Sequence, residues 1–460
     1  MKSEEEIQAL EAENALLKAT NAELSEQVKL LEDKVLYLLK QLEKQGVKKD
    51  SRNSHNPPSQ DKAKPKRNGK SLRPKTTRKT GGQPGHKGHT LAPKEIPDKE
   101  VDLKSSFCNN CGEDLSDLSQ ELLSKRQVIE LPPITPLYIQ YNQFGCDCPC
   151  GHHQKAAYPK NVNASIQYGS SVVALVSYLN VYQYVAYQRL QELLRDVFSL
   201  PLSQGTIENL LNKSAAKATP IYQAILDQIK SATYVGSDET GAKVDGQKWW
   251  IWVWQNLKNT FLKASPSRGF QTVEEVLPEG LPNATIGSDR LAAQLKTASK
   301  DKQFCLPHLF RDVNFLEEQE KHNWSSQFKQ LLKTALELRG IAEQNNAAWK
   351  PEQPEVQQVE NQLNELLAQV IDKEKFPQTL TFQKGMIKGR NYLFTFLYDL
   401  EVPPDNNASE RAVRNVKVKQ KISGQFKSGQ DTFCTLRSII DTLRKRQLNV
   451  LEYLAKIVAL

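Results

Sequence analysis

The chain has 460 residues, 38% of them hydrophobic, with 62 Lys plus Arg against 53 Asp plus Glu and a formal net charge of +9. That length suits about three domains, and the opening Met1-Lys2-Ser3-Glu4-Glu5-Glu6 lacks the apolar core of a secretory signal, so a cytoplasmic location is expected. Seven cysteines are too few for a disulfide scaffold, and five of them fall between Cys108 and Cys150, which points to metal rather than disulfide chemistry. The longest uncharged stretch, from Asn161 to Gln188, is interrupted by Ser165, Gln167, Ser170, Ser171, Ser177, Asn180 and Gln183. It reads as a buried helix rather than a membrane span.

The first element, residues 1–45, carries a seven-residue repeat with Ile7, Val28, Val35 and Leu42 at a and Leu10, Leu17, Leu24, Leu31 and Leu38 at d. Leu at every d and Asn14 and Asn21 at a predict a parallel, two-stranded coiled coil, hence a homodimer or higher oligomer. A long helix packed on its own domain is the competing reading. Residues 46–95 follow, rich in Pro and Gly and poor in large apolar side chains. Between Lys48 and Thr90 thirteen basic residues face two acidic ones, a local charge of +11, so the rest of the chain sums to −2. This segment is expected to be a disordered basic arm whose Lys64, Lys66 and Arg67 contact DNA phosphates, or else a solvated linker.

Residues 96–160 hold Cys108-Asn109-Asn110-Cys111-Gly112 and, beyond a strand-like stretch from Gln127 to Tyr141, Cys146-Asp147-Cys148-Pro149-Cys150-Gly151-His152-His153. A Cys-x-x-Cys-Gly knuckle and a second close cluster are the layout of a small zinc ribbon. The Gly after Cys111 and after Cys150 favours Cys108, Cys111, Cys148 and Cys150 as structural Zn²⁺ ligands, with Cys146 or His152 as substitutes. A redox role competes. Residues 161–230 are helical in pattern, with Ser203 as an N-cap candidate. Their helix, turn and second helix read either as a DNA-binding helix-turn-helix or as plain packing.

From residue 231 the periodicity changes. Ala232 to Gly241 forms an apolar strand ending in acids, and Asp245-Gly246 joins it to the aromatic strand Lys248 to Gln255. Thr260 to Ala264, a helix near Thr272 to Leu277, Ala284 to Asp289 and Lys302 to Leu306 complete three meandering strands, helix, strand, helix and strand. This is the order of a ribonuclease-H-like α/β core, assigned to residues 231–425 with a helical insertion at about 311–380. Such cores hold two divalent ions about 3.5–4 Å apart on carboxylates. Asp238 and Asp289 stand at strand ends, and Pro403-Pro404-Asp405 marks a helix start one turn before Glu410. Arg411, Arg414, Lys417, Lys419 and Lys421 form a basic run suited to phosphates. Trp324 and Trp349 are offered for base stacking against the commoner packing role, and His308 as a phosphate or ligand-orienting group against a satisfied core histidine. Residues 426–460 should form a helix packed on the core.

Across nearly its whole length the sequence resembles the insertion sequence 66 family of DDE transposases. Asp238-Glu239-Thr240-Gly241, Ser288-Asp289, the Cys305-x-x-His308-x-x-Arg311 segment and Asp405-Asn406-Asn407-Ala408-Ser409-Glu410-Arg411-Ala412-Val413-Arg414 carry the likeness, as do Gly81-Gly82-Gln83-Pro84-Gly85-His86-Lys87-Gly88, the zipper and the zinc motif. The resemblance implies a transposase that binds the terminal repeats of a mobile element. Asp238, Asp289 and Glu410 would bind Mg²⁺ or Mn²⁺, cut the element ends and join the freed 3′-hydroxyls to target DNA. Accessory transposition proteins are candidate partners, no membrane is implied, and the protein would associate with the nucleoid when on DNA. Three departures stand out: the Cys-x-Cys-x-Cys spacing of the second zinc cluster, Arg290 after Asp289, and Lys419-Gln420-Lys421 in place of an Arg-Lys pair. Two alternatives remain, a non-enzymatic regulator built from zipper and zinc finger, and a decayed transposase. A basic segment that follows the zipper and is full of Pro and Gly argues against the regulator.

Overall fold

A computed structural model describes residues 4–44 and 91–459, with Asn53, Gly85 and Lys87. Most of the basic segment, including Lys64, Lys66 and Arg67, lies outside the described residues. The described chain divides into two compact units, one of residues 4–44, 158–190 and 204–459, the other of residues 91–157 and 191–203.

Helix α1 (Glu4–Lys44) runs unbroken through the heptads. Leu10, Leu17, Leu24, Val28, Leu31 and Val35 are all exposed along it, so this part of its apolar seam is not covered by the other described residues. The side chains of Ile7, Leu38 and Leu42 are outside the described ones.

In the smaller unit the only regular pairing among the described residues is the antiparallel ladder of β1 (Gly145–Asp147) and β2 (His153–Lys155). The strand-like reading of Gln127 to Tyr141 is overturned, because that stretch forms no helix or strand. Its alternation is broken by Pro132, Pro133 and Pro136, which lack the N–H a ladder needs.

Asn161 to Gln188 is not one buried helix either. Residues 161–169 are irregular and mostly exposed, and α2 (Ser170–Ser177) passes into a π-helical turn at Tyr178–Tyr182. Helix α3 (Tyr187–Phe198) and helix α4 (Gln204–Lys230) follow, so Ser203 stands at the N-cap position expected of it. α4 buries Ile207, Leu210, Leu211, Ala215 and Ala218 along its length. Its inward face is therefore committed to packing on α2 and on the C-terminal helices rather than presented as a short recognition helix.

The sheet of the larger unit follows the expected order. Strands β3 (Tyr234–Val244), β4 (Gln247–Gln255) and β5 (Thr260–Ser265) form an antiparallel meander. After α5 (Phe270–Val276), β6 (Leu281–Ser288) pairs parallel to β3, and after α6 (Ala292–Lys296), β7 (Ser299–Phe304) pairs parallel to β6. The spatial order is β5-β4-β3-β6-β7, which places β3 at the centre. Ile251, Val253 and Leu262 are fully buried, each worth about 1.5–3 kcal/mol of transfer free energy.

The helical insertion is longer than sequence periodicity delimits. α7 (Leu306–Gln319), α8 (Asn323–Asn345), α9 (Pro354–Ala368), α10 (Pro377–Lys388) and α11 (Thr395–Tyr398) share a core with the end of β7. Trp324 is completely buried, stacked on Phe328, with its Nε1 donating to Leu366 O at 2.8 Å. Trp349 donates to Leu338 O and packs against the same core. Base stacking by Trp324 is thus ruled out in favour of packing, and Trp349, partly buried, packs on the same core.

α12 (Asn407–Ser423) lies on β3 and β4, burying Ser409, Ala412, Val416 and Lys419. α13 (Gln430–Lys445) and α14 (Val450–Ala459) close the fold as expected, α13 against β5 and α4 and α14 against α2.

Candidate active site

Three chain segments meet where β3 leaves its parallel partner. The last β3–β6 pair is Gly236↔Gly287, so Asp238 emerges two residues later and Asp289 directly follows β6. Glu410 comes from the first turn of α12. Asp405 Oδ1 accepts from Asn407 N at 3.0 Å at that helix start, while Asn406 occupies the cap position.

Asn406 anchors the helix to the sheet. Its Nδ2 donates to Ser237 O at 2.7 Å and its backbone N–H donates to Cys305 Sγ at 3.3 Å. Gly236 permits this closeness: a Cβ there would stand 2.6–2.7 Å from Gln255 Nε2, Asn406 Oδ1 and Ser409 Oγ. Cys305 N donates to Ser288 O at 3.0 Å, and Leu306 N donates to Pro404 O at 3.0 Å, so the ends of β6, β7 and the approach to α12 are stitched together. Sequence reasoning had no signal for these anchors, because each depends on contacts far apart in the chain.

Asp238 is pushed well above the usual carboxylate range, first by burial and then by the negative charges of Asp289, Glu239 and Glu410. The three acids therefore feel one another. Asp289 Oδ1 and Glu410 Oε1 are buried and make no hydrogen bond. Like-charged carboxylates with buried, uncommitted oxygens are a poor arrangement for a metal-free protein and a fitting one for hard divalent cations such as Mg²⁺ or Mn²⁺.

α7 brings up a second layer. His308, in its first turn and 6% exposed, places Nδ1 3.1 Å from Asp289 Oδ1 and 3.9 Å from Glu410 Oε1. Arg311 Nη1 lies 2.9 Å from His308 Nε2, and its Nη2 lies 3.8 Å from Glu410 Oε1. The ligand atoms of Asp289, Cys305 and His308 all lie within 4.8 Å of one another.

Glu239 belongs to the opposite face of β3. Burial raises its carboxyl while Arg268, at 2.7 Å, opposes the rise, and Gln294 Nε2 donates to its other oxygen at 3.0 Å. Arg290, in a left-handed conformation at φ 69°, turns toward the insertion, pairing with Asp312 and lying over the Phe382 ring.

The basic run of α12 divides. Arg411, Arg414, Lys417 and Lys421 are exposed, and Lys417 Nζ donates to Gly241 O at 2.6 Å. Lys419 is instead 8% exposed, and burial lowers its ammonium to about 8. It packs toward the sheet and is not presented to solvent as the other four are.

In the smaller unit each cysteine pair forms a knuckle closed by a left-handed Gly, Gly112 at φ 82° and Gly151 at φ 84°. Gly112 N donates to Cys108 O and Gly151 N donates to Cys148 O, both at 2.8 Å. The backbone N–H groups of Cys111 and Asn110 lower the Cys108 thiol from its ordinary value, and the hydrogen bond with the Cys148 side chain lowers Cys150. Among the described residues no three of these thiols gather within 4.8 Å, and His152 and Cys146 are exposed.

A mixed sheet with part-buried acids gathered at the carboxyl edge of its central strands defines an α/β protein with a cation-attracting site. Residues 165–432 match the model of the Transposase IS66 family, and the chain belongs to that family. Residues 2–92 match a family of unknown function (DUF6444). No curated protein matches the chain. Among the described residues no helix is long and apolar enough to cross a membrane.

Proposed function

We propose that this transposase has a ribonuclease-H-like core in which Asp238, Asp289 and Glu410 hold Mg²⁺ or Mn²⁺ and carry out DNA strand cleavage and strand transfer at the ends of a mobile element. The observation that carries the reading is the convergence of the three acids with two buried carboxylate oxygens free of hydrogen bonds. Bound divalent ions would supply Lewis-acid activation of a water or 3′-hydroxyl and stabilise the leaving oxygen. The chain's own residues hold the acids in place. Asn406 fixes the start of α12, and with it Glu410, against β3. His308 stands between Asp289 and Glu410, its Nδ1 3.1 Å from the one and 3.9 Å from the other. Arg411, Arg414 and Lys421, exposed along α12, would meet DNA phosphates, as would Lys64, Lys66 and Arg67.

The terminal repeats are the DNA to be bound. The exposed seam of α1 supports a coiled-coil dimer, which would bring two element ends together. Structural Zn²⁺ held by Cys108, Cys111, Cys148 and Cys150 would join the two knuckles of the smaller unit. The experiment is incubation with Mg²⁺ and a duplex carrying the element's terminal repeat. A nick exposing a 3′-hydroxyl, followed by a joined product, supports the proposal; tight binding without any cutting contradicts it and favours a regulator or a decayed enzyme.

A further inference from the structure

The grouping of Asp289, Cys305 and His308 poses a problem of metal choice. A sulfur, a nitrogen and a carboxylate oxygen within 4.8 Å are the donors of a zinc site, whereas Mg²⁺ takes oxygen ligands. A pocket meant for Mg²⁺ thus contains the makings of a trap for a thiophilic ion. Asp289 would belong to both sites.

We propose that Arg311 is a metal-selectivity residue: by holding the ring proton of His308 on Nδ1, the nitrogen that faces Asp289, it withholds the Cys305–His308–Asp289 cluster from zinc-like ions. A guanidinium only donates hydrogen bonds and stays protonated. With Arg311 Nη1 at 2.9 Å, His308 Nε2 must accept, so the ring proton sits on Nδ1. That nitrogen is the one facing Asp289 Oδ1 at 3.1 Å and Glu410 Oε1 at 3.9 Å.

Coordination through Nδ1 needs its lone pair, so the proton would have to move to Nε2. There it would meet the N–H of Arg311, donor against donor. Arg311 is itself attracted by Glu410 Oε1 at 3.8 Å, which opposes its withdrawal. Cys305 adds a smaller barrier. Its sulfur already accepts from Asn406 N, and metal uptake would release the thiol proton to solvent and cost that hydrogen bond. Removing Arg311 frees Nε2 to carry the proton and opens Nδ1.

The inference shares with the proposed function the view that Asp289 is a metal ligand, but its test needs neither DNA nor catalysis. Co²⁺ is added to the full-length protein and the near-ultraviolet thiolate-to-cobalt band is recorded. Each spectrum is read as a difference from the same chain carrying Cys305→Ser, which cancels the cysteines of the smaller unit. The wild type should give no difference, and Arg311→Met should gain a Cys305-dependent band and one further Co²⁺ per chain. Arg311→Gln, shorter and uncharged, should do the same and serves if circular dichroism shows that Arg311→Met does not fold. A Cys305-dependent band in the wild type, or none in either folded Arg311 variant, overturns the proposal. Failure of DNA cleavage in the wild type would count against the catalytic reading and leave the cobalt result to stand or fall alone.

Discussion

Gly236→Ala tests how tightly the third acid is registered on the sheet. A Cβ at Gly236 would lie 2.6–2.7 Å from Gln255 Nε2, Asn406 Oδ1 and Ser409 Oγ, where ordinary contact begins at 3.4 Å. All three are side-chain ends, yet none swings freely. Gln255 Oε1 accepts from Lys445 Nζ at 2.7 Å, Asn406 is bound to Ser237 O, and Ser409 is fully buried. The start of α12 must therefore retreat by about 0.7 Å, carrying Glu410 with it. Overpacking of this kind costs about 1–3 kcal/mol, and displacing a catalytic group by this much lowers turnover roughly tenfold to a hundredfold. The matched control is Gly241→Ala on the same strand, whose Cβ would meet only Trp250 at an ordinary 3.9 Å. Thermal unfolding and Mg²⁺-dependent nicking of a terminal-repeat duplex, with binding measured alongside, separate the two variants. The reasoning fails if Gly236→Ala cuts and melts as Gly241→Ala does.

Further outcomes follow from the same contacts. Because burial and neighbouring acids raise Asp238, the folded state holds its proton more tightly than the unfolded chain does. The metal-free protein should therefore lose stability as pH rises from the ordinary carboxylate value through the raised one, and Asp238→Asn should melt higher at neutral pH, as calorimetry would register. Trp324→Ala should destabilise the insertion by about 3–5 kcal/mol in chemical denaturation, with DNA affinity per folded molecule unchanged. Leu17→Lys with Leu24→Lys should convert the dimer expected of α1 to monomer in sedimentation, leaving the sheet's circular dichroism intact. Cys148→Ser should lose bound zinc by elemental analysis, whereas Cys434→Ser, a buried thiol of α13, should keep it.

The sheet was legible because its strands announce themselves locally. An apolar run ending in acid, an Asp-Gly turn and an aromatic run from Lys248 to Gln255 give β4 to within one residue and β3 to within three, and Pro403-Pro404-Asp405 marks the start of α12. Asp289 and Glu410 do sit at the end and the start of elements, but the expectation that Asp238 ends its strand is overturned: β3 runs on past it to Val244, still paired with β4. What escaped were features set by contacts distant in sequence. The Asn406 bridge to Ser237 spans 169 positions, and the burial of Lys419 depends on which face of α12 meets the sheet. Trp324 looks equally suited to stacking or packing until Phe328 and Leu366 surround it. The alternation from Gln127 to Tyr141 misled because hydrophobic spacing there is not matched by available backbone donors.

The central claim is that Asp238, Asp289 and Glu410 act together on DNA through divalent ions. Its most direct measurement compares Mg²⁺- or Mn²⁺-dependent nicking and joining of a terminal-repeat duplex by the wild type with that by Asp238→Asn, Asp289→Asn and Glu410→Gln, with DNA binding measured on the same preparations. The account predicts that each substitution abolishes cutting while binding persists. Cleavage that survives any one of the three in a folded, DNA-bound protein would contradict it.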